Sequence, residues 1–214
     1  MNLTRPAARG ETVRPKWPIA LMIVALIALS ATLDPAVSTW LSSERVRPVL
    51  ERLLGKEVPA PGIVDQWAPL VILLAILISL PKGGRLCVGF LVPILVHLPV
   101  LHLLKWAIGR ARPLAQLGAF HFAPFSGAKY ADSFPSGHAA LPAITALVLG
   151  LYFPRARWVF YVWALVEGLK RMVMGWHYLS DVLAGYALAA LVVYVCHRGL
   201  GAKFYPRRAP PSAG

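Results

Sequence analysis

Residues 86–104 read Leu-Cys-Val-Gly-Phe-Leu-Val-Pro-Ile-Leu-Val-His-Leu-Pro-Val-Leu-His-Leu-Leu, with no Lys, Arg, Asp or Glu, and Lys105 follows at once. A bilayer core is crossed by about 20 apolar residues as helix, with about 17 as a lower limit. The two prolines do not break this reading, because neighbouring helices in a membrane bundle re-satisfy the backbone groups that proline frees. The stretch therefore decides the fold class: helices in a membrane, not a soluble domain.

Working outward, other charge-poor runs meet or approach the same length. They are Trp17 to Leu33, Trp67 to Leu80 (short, with Asp65 at the interface), Gly137 to Phe153, Trp158 to about Trp176, and Leu179 to Cys196. The fifth begins apolar and ends on Glu167, Lys170 and Arg171. The expectation is an all-α polytopic membrane protein with six transmembrane helices. Residues 1–16 would be a basic tail, 17–198 the membrane domain, and 199–214 a second tail, disordered from Tyr205 on. The first run is read as an uncleaved anchor and not a signal peptide, since it is long and no clean cleavage site follows.

Composition agrees. The 214 residues are 57% hydrophobic and only 14% charged, where soluble domains carry about 25% charged residues. The formal net charge of +13 would raise nucleic acid in a soluble chain. Here the bases cluster at the ends of apolar runs, where anionic lipid attracts them, so no nucleic-acid partner is expected. Cys87 and Cys196 fall in apolar runs with no metal-binding spacing, and read as small buried hydrophobes.

Six spans put both termini on one side. That side holds bases from Arg5 to Lys16, at Lys82, Arg85, Arg155 and Arg157, and from Arg198 to Arg208, with Glu11 as its one acid. The positive-inside rule makes it cytoplasmic. The opposite side holds the long segment Asp34 to Asp65, in which Val46 to Lys56 has the character of an interfacial or loop helix. It also holds further bases: Lys105, Arg110, Arg112, Lys129, Lys170 and Arg171. These break the rule locally, and a local breach calls for a functional reason.

Three constellations supply one. Lys105-x6-Arg112-Pro113 places two cations two helical turns apart, which on a helix points them the same way, and Pro113 discourages helix at Arg112. An arginine fork suits phosphate oxygens. Ser133-Phe-Pro135-Ser136-Gly137-His138 opens the fourth helix, whose free N–H groups and dipole favour an anion. Gly137 allows close approach, Ser136 can cap or donate, and His138 can protonate a leaving oxygen. Lys170-Arg171-x5-His177-x3-Asp181 leads into the last helix, where Asp181 at i+4 can hold one ring nitrogen of His177 and leave the other as a nucleophile. Glu167 stands four residues before Arg171 and could orient it. Each constellation alone has a plainer reading, respectively snorkelling bases, a simple helix cap and a structural ion pair. All three nevertheless fall on the extracytoplasmic side.

Together the three motifs resemble the signature of the type 2 phosphatidic acid phosphatase family, which shares its core with vanadium haloperoxidases and bacterial acid phosphatases. The resemblance covers Lys105 to Asp181, about a third of the chain, and the helix count extends it. It implies a metal-independent phosphatase with no cofactor. His177 would be the nucleophile, Asp181 its orienter and His138 the acid. Lys105, Arg112, Ser136, Gly137 and Arg171 would bind phosphate, with Glu167 and Lys170 behind them. Lys170 stands where the family has Ser, which puts one supporting hydrogen bond in doubt. The implied substrate is a lipid phosphate in the outer leaflet: undecaprenyl pyrophosphate, phosphatidic acid, phosphatidylglycerol phosphate or a lipid A phosphate. A lipid phosphotransferase using the same phosphohistidine, or a non-catalytic protein binding anionic lipid, are the alternatives. The oligomeric state is not legible.

Overall fold

The computed structural model describes residues 17–54, 79, 83–201 and 204–205. Within them the chain forms helices α1 (Trp17–Ser42), α2 (Arg47–Leu54), α3 (Gly83–Ile108), α4 (Gly137–Tyr152), α5 (Arg157–Val173) and α6 (Leu179–Leu200), with a 3-10 turn at Pro113–Ala115. Among the described residues there is no β-strand, only an isolated bridge between Arg110 and Phe122. Among the described residues, three stretches are long and apolar enough to cross a membrane: Ile19–Leu41, Gly84–Ile108 and Leu179–Leu200. Gly137–Tyr152 is apolar but shorter. The all-α membrane fold is as expected. The proposed span at 67–80, apart from residue 79, and the tail at 1–16 lie outside the described residues, as does 206–214.

α4 and α6 form the centre. α5 packs on α4, and α1 and α3 both pack on α6. The core joins Phe90 and Ile94 of α3, Ala140, Ile144 and Val148 of α4, and Ala189 and Val193 of α6. Outward faces stay apolar, with Leu21, Met22 and Leu29 on α1, Leu95 and Leu103 on α3, Val159 and Leu165 on α5, and Leu191 and Val195 on α6 all exposed. Such a continuous apolar exterior is stable only against hydrocarbon.

Two boundaries differ from expectation. α1 does not stop at Leu33 but runs on through Asp34 and Pro35 to Ser42. Asp34 is fully buried and ion-paired, so its charge does not force the helix to end at an interface. The C-terminal segment also does not leave the fold at residue 199. Tyr205 is 2% exposed and belongs to the core. The cause is Pro93, which has no N–H to give to the carbonyl four residues earlier. That carbonyl belongs to Gly89, and the Tyr205 hydroxyl donates to it at 2.7 Å. Tyr152 donates in turn to the Phe204 carbonyl.

The chain direction then sorts the helix ends. α3 and α5 finish, and α4 and α6 begin, at the end of the bundle opposite the Tyr205 core. The connection 109–136 and the turn 174–178 are brought together there.

Candidate active site

Gly109 ends α3. Its φ is +59°, and a Cβ there would lie 2.0 Å from the Ala123 carbonyl oxygen, so the backbone can turn only because the side chain is absent. The following loop is pinned by main-chain bonds. Ala123 N donates to Gly109 O at 2.8 Å, Ala111 N to His121 O at 2.9 Å, Arg112 N to Tyr130 O at 2.9 Å and Ser133 N to Arg110 O at 2.9 Å. Arg112 is thus extended and non-helical. The expectation that Lys105 and Arg112 share a helix face is corrected: Gly109 breaks the helix between them. They still converge, because both reach Asp132.

Asp132 fastens these two cations. Arg112 Nε donates to its Oδ1 and Arg112 Nη2 to its Oδ2, each at 2.7 Å. Lys105 Nζ donates to its backbone carbonyl and stands 3.8 Å from Oδ2. The Arg112 guanidinium also lies 4.8 Å over the Trp176 ring. Burial works to raise the Asp132 pKa, but the Arg112 and Lys105 charges outweigh it and hold the carboxyl below its ordinary value. Lys105, Arg112, Asp132, Gly137 and His138 line one cavity of about 670 Å³, which continues along α3 past Leu101 to His97.

His177 lies behind this cavity, 1% exposed. The turn carrying it is tied to α5, since Trp176 N and His177 N donate to the Arg171 carbonyl at 3.0 and 3.3 Å. Its Nδ1 is 3.5 Å from Ser133 Oγ and 3.8 Å from Asp181 Oδ2. Among the described residues its Nε2 has no hydrogen-bond partner. The His138 ring centroid is 6.2 Å away. Burial, helped by Lys105 and Arg112 and opposed by Asp181, pushes His177 down to about 4, so the ring is neutral near pH 7.

Asp181 is in the first turn of α6, and Tyr178 N donates to its Oδ2 at 2.8 Å. Its closer partners are ones the sequence reading left without a role. Ser133 Oγ donates to Oδ2 at 2.5 Å and Arg110 Nη1 to Oδ1 at 2.7 Å. Arg110 Nη2 then donates to Asp34 Oδ2 at 2.7 Å. Ser180 N donates to Asp34 Oδ1 at 2.9 Å. Asp34, Arg110, Ser133, Ser180 and Asp181 are all buried. Two signals in the chain pointed here: an acid within an apolar run, which is a functional-site hypothesis by default, and a second arginine two residues before Arg112.

Of the other candidates, Ser136 caps α4 by accepting from Ala139 N at 3.2 Å; a hydroxyl that accepts keeps its O–H to donate. Its N–H donates to the Asp181 carbonyl at 2.9 Å. That contact requires Gly185, where a Cβ would stand 2.4 Å from the Ser136 carbonyl oxygen. Lys170 donates to Glu167 at 3.3 Å, both side chains being partly buried. Arg171, Lys170 and Glu167 do not line the described cavity.

A model of the PAP2 superfamily matches residues 83–205, more than half of the sequence. The chain belongs to that superfamily. Over 91 residues it is 47% identical to a lipid A 1-phosphatase of Rhizobium johnstonii, covering 42% of this chain and 37% of that protein. The lipid A 1-phosphatase of Rhizobium etli gives 47% over 88 residues, covering 40% and 38%. The chain thus spans under two fifths of the length of these relatives. It is 26% identical over 131 residues to an undecaprenyl-diphosphatase of Sulfolobus acidocaldarius, covering 60% of this chain and 61% of that protein. Its fold is similar to that of a transmembrane PAP2 type phosphatidylglycerolphosphate phosphatase from Bacillus subtilis. There the TM-score is 0.52 at 20% identity, over 92% of this chain and all of the other.

The buried half of this PAP2 site makes a stability prediction. Removing one partner of a buried charge network leaves the others uncompensated, at a cost of about 3–5 kcal/mol. Asp34→Ala should therefore lower the thermal midpoint in detergent by roughly 6 °C or more. An unchanged midpoint would mean that Arg110 does not depend on Asp34.

Proposed function

We propose that the chain is a lipid phosphatase that works through a phosphohistidine at His177. One observation carries this reading: Nδ1 of His177 is backed by Asp181 and Ser133, while Nε2 is buried and unpartnered among the described residues, with the His138 ring 6.2 Å from the His177 ring.

Arg112 and Lys105, with the α4 N-terminus at Gly137, receive the phosphoryl oxygens. Asp132 holds the Nε–Nη2 edge of Arg112, so a phosphate that takes this same edge displaces it, since a carboxylate and a phosphate present the same pair of oxygens to it. His177 Nε2 attacks phosphorus, forming the P–N bond. The P–O bond to the lipid breaks, and its electron pair leaves on the lipid oxygen, which takes a proton from His138. Water then attacks phosphorus, giving a proton back to His138, and the P–N bond breaks to release phosphate. Asp34 and Asp181 against the single charge of Arg110 leave a net negative charge behind His177. That charge stabilises the imidazole as it becomes cationic during attack. Ser136 and Arg171 are proposed to complete the phosphate shell as the substrate enters, with Lys170 and Glu167 at its edge.

The substrate is read as a lipid reached from the outer leaflet, with both termini cytoplasmic, from the charge pattern of the loops. The rim supports lateral entry. Leu114, Leu117, Phe120, Phe122 and Phe125 are exposed on the loop beside the cavity, a surface suited to the headgroup–acyl boundary.

Purified protein in detergent with EDTA is expected to release phosphate from at least one lipid among phosphatidic acid, phosphatidylglycerol phosphate, undecaprenyl pyrophosphate and lipid A. His177→Ala should lower that rate by at least about 10³-fold. Equal rates would remove the histidine mechanism. Asp132→Asn bears on the fork. If Asp132 competes with substrate, the variant should bind orthophosphate as product inhibitor roughly 10-fold more tightly. Weaker inhibition would instead make Asp132 a support for Arg112.

A further inference from the structure

Beyond the phosphate cradle, the cavity is lined along α3 by His97, Leu98, Leu101 and His102, and by Leu141 of α4. His97 precedes Lys105 by eight residues, roughly 12 Å along the helix at 1.5 Å per residue. It stands on the same helix face as Leu101 and Lys105. It therefore sits on the chain side of a lipid whose phosphate is held at Lys105, deeper in the span. Its ring is 1% exposed, yet neither Nδ1 nor Nε2 has a hydrogen-bond partner among the described residues.

A neutral imidazole offers one donor and one acceptor. Leaving both unmet is unfavourable anywhere in a protein, and more so at membrane depth. Buried polar groups of this kind are found paired, so an unpaired one facing a cavity marks where a ligand group belongs. Apart from His102, the neighbouring lining is Leu98, Leu101 and Leu141, which fit hydrocarbon. The ligand group wanted is thus a single polar atom or two carried on an apolar chain.

We infer that His97 is a hydrogen-bonding subsite for the acyl linkage of the substrate (an ester or amide carbonyl, or a chain hydroxyl), so that the site takes acylated lipid phosphates in preference to polyprenyl phosphates. A polyprenyl chain carries only carbon and hydrogen beyond its phosphate oxygen. Seated here, it would leave both His97 nitrogens unmet. A site built to hydrogen-bond a substrate group rejects the analogue that lacks it, whereas an apolar pocket discriminates poorly. This inference rests on the lipid phosphatase reading and names the substrate class for that same site.

The test compares phosphatidic acid with a polyprenyl monophosphate, both phosphomonoesters, in identical mixed micelles. Wild type should favour phosphatidic acid in kcat/KM by about 10-fold or more. His97→Leu should collapse the ratio by lowering the phosphatidic acid rate while sparing the polyprenyl rate. His97→Asn, which keeps a donor and an acceptor, should retain part of it. Equal losses on both lipids would make His97 a packing or water-binding residue and overturn the subsite. So would a ratio unchanged in His97→Leu. Release from neither lipid by folded wild type would contradict the phosphatase reading itself, and the subsite with it.

Discussion

The arrangement depends on one buried guanidinium. Arg110 is held between Asp34 of α1 and Asp181 of α6, at 2.7 Å on each side, with its Nε donating to the Ala119 carbonyl at 2.9 Å. Three parts of the chain far apart in sequence meet on this side chain. Tyr178 adds its ring 4.5 Å from the guanidinium. A buried charge is tolerated only when paired and fully hydrogen-bonded, so the network fixes where α1 stands, how the 109–136 loop is drawn in, and which way Asp181 faces. His177 takes its place from Asp181 and Ser133, and so inherits that rigidity.

The charges divide into two layers with different tasks. The inner layer is Asp34, Arg110, Ser133, Ser180 and Asp181, closed to solvent, with more negative than positive charge. The outer layer is Lys105, Arg112 and Asp132, in which Asp132 is half exposed at 49% and the cations are in excess. The inner layer favours positive charge on His177 and the outer favours an anion in front of it. A phosphoryl group bound there would lie between opposite polarities, as the proposed phosphohistidine requires. The rigid layer is the dry one, and the layer proposed to rearrange for substrate is the one that lines the cavity.

Much of this was legible in the sequence, for physical reasons. Bilayer-length apolar runs are governed by composition alone, and the helices at 17, 83, 137, 157 and 179 follow it. Lys105, Arg112, Gly137 and His138 announce themselves by residue type and spacing, and they do line one cavity. What was not legible depends on long-range pairing. Asp34 looked like the end of a helix because an unpaired acid would end one, and only its meeting with Arg110 reverses that. Tyr205 looked like the start of a tail because nothing local shows that Pro93 leaves the Gly89 carbonyl in need of a donor. Gly109 sits within helical spacing of Lys105 and Arg112, and only its positive φ ends α3.

The central claim is that His177 Nε2 carries the phosphoryl group. Its most direct test is acid-quench trapping with a ³²P-labelled lipid phosphate, followed by peptide mapping. The mechanism predicts a label that is stable to alkali, labile to acid and located on His177, forming within one turnover and lost when water attacks it. A label on another residue, or full turnover with no labelled protein at any time, would contradict it.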